Sequence, residues 1–213
     1  MKFNNINIDW LGHASFKIKT NKIIYIDPFK INNNEPADII LITHSHYDHC
    51  SLEDIKKILK QETIILGPID IQSKISKLSY DIKFQPISPG KNLKIEEIKV
   101  QSYPAYNIDK KFHPKNNEWL GYLIEIENLR IFHAGDSDVT PELQDLKNIH
   151  ILILPVGGTY TMNAKEAASL TNIIKPKVAI PMHFGSIIGD KKDALEFKNL
   201  VKTQTIILDN SNV

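Results

Sequence analysis

His44-Ser45-His46-Tyr47-Asp48-His49 follows directly on the apolar run Ile39-Ile40-Leu41-Ile42. A strand that ends in a loop of imidazoles and a carboxylate sets nitrogen and oxygen ligands at a sheet edge, held by a scaffold yet open to solvent. Side chains two apart on an extended segment point the same way, so His44 and His46 can close on one ion. Asp48 and His49, beyond the bend, are free to face a second. The same residue types occupy ordinary strand-to-helix loops, where Asp caps helices and His sits at the surface. Two further segments argue against that plain reading: Ile131-Phe132-His133-Ala134-Gly135-Asp136 and Val178-Ala179-Ile180-Pro181-Met182-His183-Phe184-Gly185. Both are apolar runs that end in a metal-competent side chain beside a glycine, which is how a sheet delivers ligands to a common rim.

The order His-x-His-x-Asp-His, a His in a middle loop, Gly-Asp after a strand and a late His resembles the metallo-β-lactamase superfamily. Trp10-Leu11-Gly12-His13-Ala14-Ser15-Phe16, Ile26-Asp27-Pro28-Phe29, Pro104-Ala105-Tyr106-Asn107, Phe112-His113-Pro114-Lys115, His133-Ala134-Gly135-Asp136-Ser137-Asp138 and Pro181-Met182-His183-Phe184-Gly185 are similar to one branch of it. That branch contains ascorbate-phosphate lactonase and uncharacterised zinc-dependent hydrolases. The resemblance spans nearly the whole chain and implies an α+β fold, the four-layer αββα sandwich. It implies a first ion held by His44, His46 and the middle-loop His, a second held by Asp48, His49 and His183, and Asp136 bridging them. His113 is the middle-loop candidate. In some relatives that His lies where Asn107 stands here, so Asn107 is its rival for the third position.

Five histidines and two carboxylates without cysteine suit two zinc ions first, and manganese or iron are also compatible with imidazole and carboxylate. Such ions lower the pKa of bound water from about 15.7 towards 7 and stabilise the oxyanion that grows on the attacked group. Asp48 is a candidate to take the proton as the intermediate collapses. His133, at the end of an apolar strand, reads equally as an acid for the leaving group or as a buried histidine with a satisfied hydrogen bond. Asp27 either orients a metal-bound imidazole or caps a turn before Pro28. His13 either lies near the site or is a hairpin histidine, the safer reading, and His150 reads as structural. Val156-Gly157-Gly158-Thr159-Tyr160-Thr161 either lends amides to an anion or makes a tight connection. Tyr106 and Tyr160 are candidate substrate contacts.

At 213 residues the chain suits one domain, residues 1–213, large enough for a layered core. Lys+Arg 26 against Asp+Glu 25 leaves a net charge of +1, so no global field recruits nucleic acid. The single cysteine, Cys50, forbids an internal disulfide and fits a reducing compartment; it reads as a small, partly buried loop anchor ahead of a soft metal ligand. The start of the chain lacks the apolar core of a signal peptide, and no stretch approaches roughly 18 apolar residues. The expectation is a cytoplasmic protein with no membrane.

Strands are expected over residues 6–13, 16–20 and 22–27 as an antiparallel meander, then 39–42 before the motif loop. A helix over 52–60 follows, with Ser51 and Asp54 as a capping box. Residues 63–66 read as a strand, residues from Gly67-Pro68 as a weaker helix, and 82–85, 93–95 and 98–103 as strands. The long loop from Pro104 to Glu118 is the natural site wall. Residues 120–126 and 129–133 form a hairpin turning at Glu127-Asn128. Helices start at Thr140-Pro141, Asn163 and near Lys191, and strands occupy 149–156, 178–181 and 205–208.

The expected function is a metal-dependent hydrolase, of lactonase or phosphodiesterase type, attacking a small ester, lactone or phosphodiester. Its expected partners are a small-molecule substrate and, as in relatives that are often dimers or larger, copies of itself. Two alternatives stay open. One is a nuclease of the same fold, which the absence of a basic segment or added arm disfavours. The other is a non-catalytic metal-binding or redox protein, although redox relatives carry an acidic residue where His46 stands.

Overall fold

The computed structural model describes all residues except 4, 33, 34, 79–81, 212 and 213. It divides into two compact units, residues 1–88 with 208–213 and residues 89–207.

The first unit carries a seven-stranded sheet in sequential order: β1 (Lys2–Phe3), β2 (Ile6–Gly12), β3 (Ser15–Lys19), β4 (Ile23–Ile26), β5 (Ile39–Leu41), β6 (Ile64–Gly67) and β7 (Lys83–Pro86). β1 to β4 run antiparallel, and β4 to β7 run parallel. Every residue of β5 is buried, the continuous apolar pattern that a parallel strand covered on both faces requires. Helix α1 (Leu52–Ile58) and the short helical pair of residues 69–71 and α2 (Gln72–Ile75) supply Ile55, Ile58, Ile71 and Ile75. These side chains form one core cluster with Leu11, Tyr25, Ile40, Ile42 and Ile65.

The expected cap of α1 is present, since Ser51 Oγ accepts from the Asp54 amide at 3.3 Å. The reciprocal half differs. The Asp54 carboxylate accepts instead from the amides of Lys30 and Ile31, at 2.8 and 3.1 Å, and so pins the loop after β4. The C-terminal segment returns to this unit, where the Ser211 amide donates to the Trp10 carbonyl at 2.9 Å.

The second unit repeats the plan. Its seven-stranded sheet orders β8 (Asn92–Ile95), β9 (Ile98–Pro104), β10 (Leu120–Ile126), β11 (Leu129–His133), β12 (Ile151–Pro155), β13 (Val178–Met182) and β14 (Gln204–Thr205). β8 to β11 are antiparallel and β11 to β14 parallel. Glu127 and Asn128 both take positive φ, 48° and 62°, between β10 and β11, the geometry whose twist suits a two-residue hairpin. Helix α3 (Pro141–Gln144) is a single turn capped by Thr140. α4 (Ala164–Ile174) starts in a full capping box of Asn163 and Glu166, and α5 (Lys191–Leu200) in one of Asp190 and Asp193.

β1 has no counterpart among the expected strands. At two residues it is too short for a pattern of alternation to show. Among the described residues, no helix is long and apolar enough to cross a membrane.

Candidate metal centre

In both units the chemistry-bearing residues, His113 excepted, follow the carboxyl ends of parallel strands, where open α/β sheets place their ligands. In the first unit Asp27 follows β4, and Thr43 to His49 follow β5. The Asp27 amide donates to the Leu41 carbonyl at 3.0 Å, which carries the pairing of these strands to their tips.

Asp27 is fully buried. Its Oδ1 accepts from the Thr43 amide at 2.7 Å, and its Oδ2 accepts from the Thr43 hydroxyl at 2.6 Å and from His49 Nδ1 at 2.7 Å. With its proton committed to Asp27, the Thr43 oxygen is left to accept from His44 Nδ1 at 2.9 Å. Both imidazoles therefore carry hydrogen on Nδ1 and a lone pair on Nε2. His44 Nε2 lies 3.0 Å from His46 Nδ1, and His49 Nε2 lies 3.6 Å from Asp48 Oδ2. Lys74 of α2 donates through Nζ to the Ser45 carbonyl and braces the loop between the two histidines. Cys50 is buried behind that loop, and burial pushes its thiol pKa up to about 12, so it is a packing group there.

In the second unit Asp136 follows β11 and His183 follows β13. His113 stands on the 104–118 loop, buried and edge-on to the Trp119 ring. His113 Nδ1 donates to Asn107 Oδ1 at 3.0 Å and to the Tyr160 carbonyl at 3.1 Å. Its Nε2 then lies 3.3 Å from Asp136 Oδ2, which is also 3.1 Å from His183 Nε2. Asn107 is engaged on both sides of its amide. Its Oδ1 accepts from the His113 amide and ring, and its Nδ2 donates to the Tyr160 carbonyl at 2.9 Å. The residue that rivals His113 as a ligand thus serves as its brace.

His133 is fully buried, and its Nδ1 accepts from the Gly135 amide at 3.2 Å. The ring holds the turn that presents Asp136. Gly135 has φ +61°, and a β-carbon there would lie 2.4 Å from the Leu120 carbonyl oxygen, so the turn requires glycine. The Gly-Gly connection is tight: the amides of Gly158 and Thr159 donate to the carbonyls of Met162 and Gly157 at 3.1 Å each. Tyr106 turns inward, and its hydroxyl donates to Glu142 at 2.9 Å. Tyr160 is half-buried beneath the edge of Phe112, ring centroids 4.6 Å apart. His150 accepts at Nδ1 from the Arg130 amide at 3.0 Å, away from both ligand groups in sequence and role.

Several participants escaped sequence reading. The Tyr160 carbonyl carries no side-chain signal at all. Asp138 anchors the middle loop by accepting from the Ile108 amide at 2.9 Å and pairing with Lys110 at 2.5 Å. The neighbouring His-Ala-Gly-Asp run hints at it only by proximity. His13 meets both of its readings: it sits in the turn between β2 and β3, and its Nε2 lies 2.9 Å from Asp48 Oδ2.

These donors fit a metal. Ligand atoms at 2.0–2.1 Å from a tetrahedral ion stand roughly 3.3 Å apart. The pairs His44–His46, His49–Asp48, His113–Asp136 and His183–Asp136 fall at 3.0, 3.6, 3.3 and 3.1 Å.

A family model described as a β-lactamase superfamily domain matches residues 7–183, across both units. The chain belongs to the metallo-β-lactamase superfamily. Its relatives include a UPF0173 metal-dependent hydrolase of Archaeoglobus fulgidus, 31% identical over 93% of this chain and 92% of the relative. Another, from Thermococcus onnurineus, is 32% identical over 95% of this chain and 96% of its own length. The crystal structure of a Parabacteroides distasonis protein matches with a TM-score of 0.84 at 31% identity, covering 96% of this chain and 94% of that one. The chain therefore has the metallo-β-lactamase fold, of α+β class, and is a metal-dependent hydrolase of that superfamily.

Proposed function

We propose that residues 1–213 act as one hydrolase domain that binds two divalent ions, zinc first, and opens a small ester or lactone. On the superfamily pattern His44, His46 and His113 would hold one ion, Asp48, His49 and His183 would hold the other, and Asp136 would serve both. One observation carries this reading: His44, His49 and His113 each commit Nδ1–H to a fixed acceptor, Thr43, Asp27 and Asn107 with Tyr160. That fixes the tautomer and aims Nε2 away from the scaffold, the outer support that ligating histidines use. A buried packing histidine also satisfies one ring N–H, but here each opposite nitrogen, Nε2, is turned towards another ligand candidate, His46, Asp48 or Asp136.

When bound, the ions bring water near neutrality in pKa and so supply the nucleophile. The chain's own residues do the rest. Asp27 and Asn107 fix imidazole orientation, His133 fixes the turn of Asp136, and Asp48 takes the proton of the added hydroxyl and passes it to the alkoxide that leaves as the tetrahedral intermediate collapses. The wall beside His113 favours a neutral acyl substrate over a nucleic acid or other polyanion. Phe112 and Ile108 are exposed there, at 46% and 54%, while Lys110 and Lys115 are paired with Asp138 and Glu142 and Lys111 alone of the three lysines on that loop stays outside these pairs.

Elemental analysis of tag-free protein, with turnover on lactones and a generic phosphodiester after chelation and metal readdition, tests the reading. Near two ions per chain and restored lactone turnover support it. Well under one ion without metal-dependent turnover refutes it, and turnover confined to the phosphodiester overturns the substrate class. Asp136→Ala should lose metal and turnover together while remaining folded; full activity in that variant removes Asp136 from the site.

A further inference from the structure

The turn between β2 and β3 is built against its own backbone preference. Gly12 pairs with Ser15, leaving His13 and Ala14 as the two central residues. His13 has φ +51° and Ala14 does not share the positive sign, a pattern in which the first central position ordinarily belongs to glycine. A side chain held in the left-handed region, buried to 2% exposure, marks a position where the surroundings over-determine the backbone. Trp10 contributes by donating its indole N–H to the His13 carbonyl at 2.9 Å. The imidazole then lies edge-on to the rings of Phe29 and His49, with centroids at 6.0 and 5.5 Å. Its Nε2 meets Asp48 Oδ2 at 2.9 Å, across 35 residues of sequence.

We propose that His13 is a positioning residue for Asp48: its Nε2–H grips one carboxylate oxygen and sets the plane in which Asp48 meets the second ion. The inference rests on the reading of Asp48 as a ligand of that ion. Asp48 lies on the bend of the motif loop beside Tyr47, which is 66% exposed, while its own side chain is 13% exposed. A donor that engages one oxygen of such a carboxylate restricts rotation about its side-chain bonds. His13 is that donor, and the strained turn is what brings it there.

The turn also supplies a clean test. His13→Gly removes the imidazole at a backbone angle that glycine adopts without strain, so the fold is kept. His13→Gln keeps an N–H able to reach Asp48 while being a poor metal ligand. Zinc titration and the visible spectrum of the cobalt-substituted protein are read for the wild type and both variants, with circular dichroism to verify folding. The expected result is an unchanged first ion in both, a second ion bound roughly 10- to 100-fold more weakly in His13→Gly, and recovery in His13→Gln.

Equal affinity for the second ion in wild type and His13→Gly overturns the proposal and leaves the two-ion reading intact. Loss in both variants, with an altered cobalt spectrum, overturns it in favour of His13 as a ligand itself. A wild type that takes up no second ion refutes the two-ion reading, and the role of His13 falls with it.

Discussion

Asp27 concentrates three donors on one buried carboxylate, and nothing in its pattern Ile-Asp-Pro separates that role from a turn cap. Only the fold brings Thr43 and His49 to it. Its removal has two consequences of different kind. Asp27→Ala leaves the Thr43 amide and hydroxyl without their acceptor, each buried group costing about 1–3 kcal/mol, so chemical denaturation should show a loss of several kcal/mol. It also frees the His49 ring, so the second ion should bind roughly 10- to 100-fold more weakly in a zinc titration. Asn107 makes the matching case in the second unit with a sharper split. Asn107→Ala should weaken the first ion by a similar factor and leave the second unchanged, because its Oδ1 orients His113 alone among the proposed ligands. Equal loss of both ions would show that the variant disturbs the middle loop as a whole. His113 could be named from sequence, since an imidazole declares itself. Its supports could not, because an amide and a backbone carbonyl look the same in every loop.

At the scale of elements, the sequence announces what local periodicity can carry. The meander of β2 to β4, the buried β5, the hairpin of β10 and β11 and the capped α4 all follow from apolar spacing and turn residues within a few positions. Legibility fails where an element is too short to show a period, as in β1, or where an end group serves a distant partner. Asp54 is the instructive instance: Ser-x-x-Asp signals a reciprocal cap, yet its carboxylate accepts from Lys30 and Ile31, a contact invisible to local pattern. The turn from β11 to Asp136 is legible in part, since His-Ala-Gly-Asp marks a site but not why the glycine is needed. Gly135→Ala puts a β-carbon into the left-handed region, at about 1–2 kcal/mol, and adds a collision with the Leu120 carbonyl. Thermal melts should therefore show clear destabilisation of the metal-free protein as well as weaker metal binding. A metal-free melt equal to wild type would mean that the turn relaxes at no cost.

The whole molecule is two units built to one plan, an antiparallel meander that passes into parallel strands, with the proposed ligands other than His113 at the carboxyl ends of those strands. This shared plan explains why the motifs were readable across the chain: each is an apolar run followed by a chemistry-bearing loop, and the run itself sets where the loop begins. The proposed ligands divide between the units, His44, His46, Asp48 and His49 on the first and His113, Asp136 and His183 on the second. An ion that binds only the native state stabilises it by an amount set by its concentration relative to Kd, about 4 kcal/mol at a thousandfold excess. If the ions draw on ligands of both units, stripping them should raise amide hydrogen exchange in β5 and in β13 together, and readdition of zinc should restore protection in both. Exchange that rises in one unit alone would assign the metal to that unit's ligands. The superfamily pattern of shared ligands would then fail for this chain, even with its hydrolase chemistry intact.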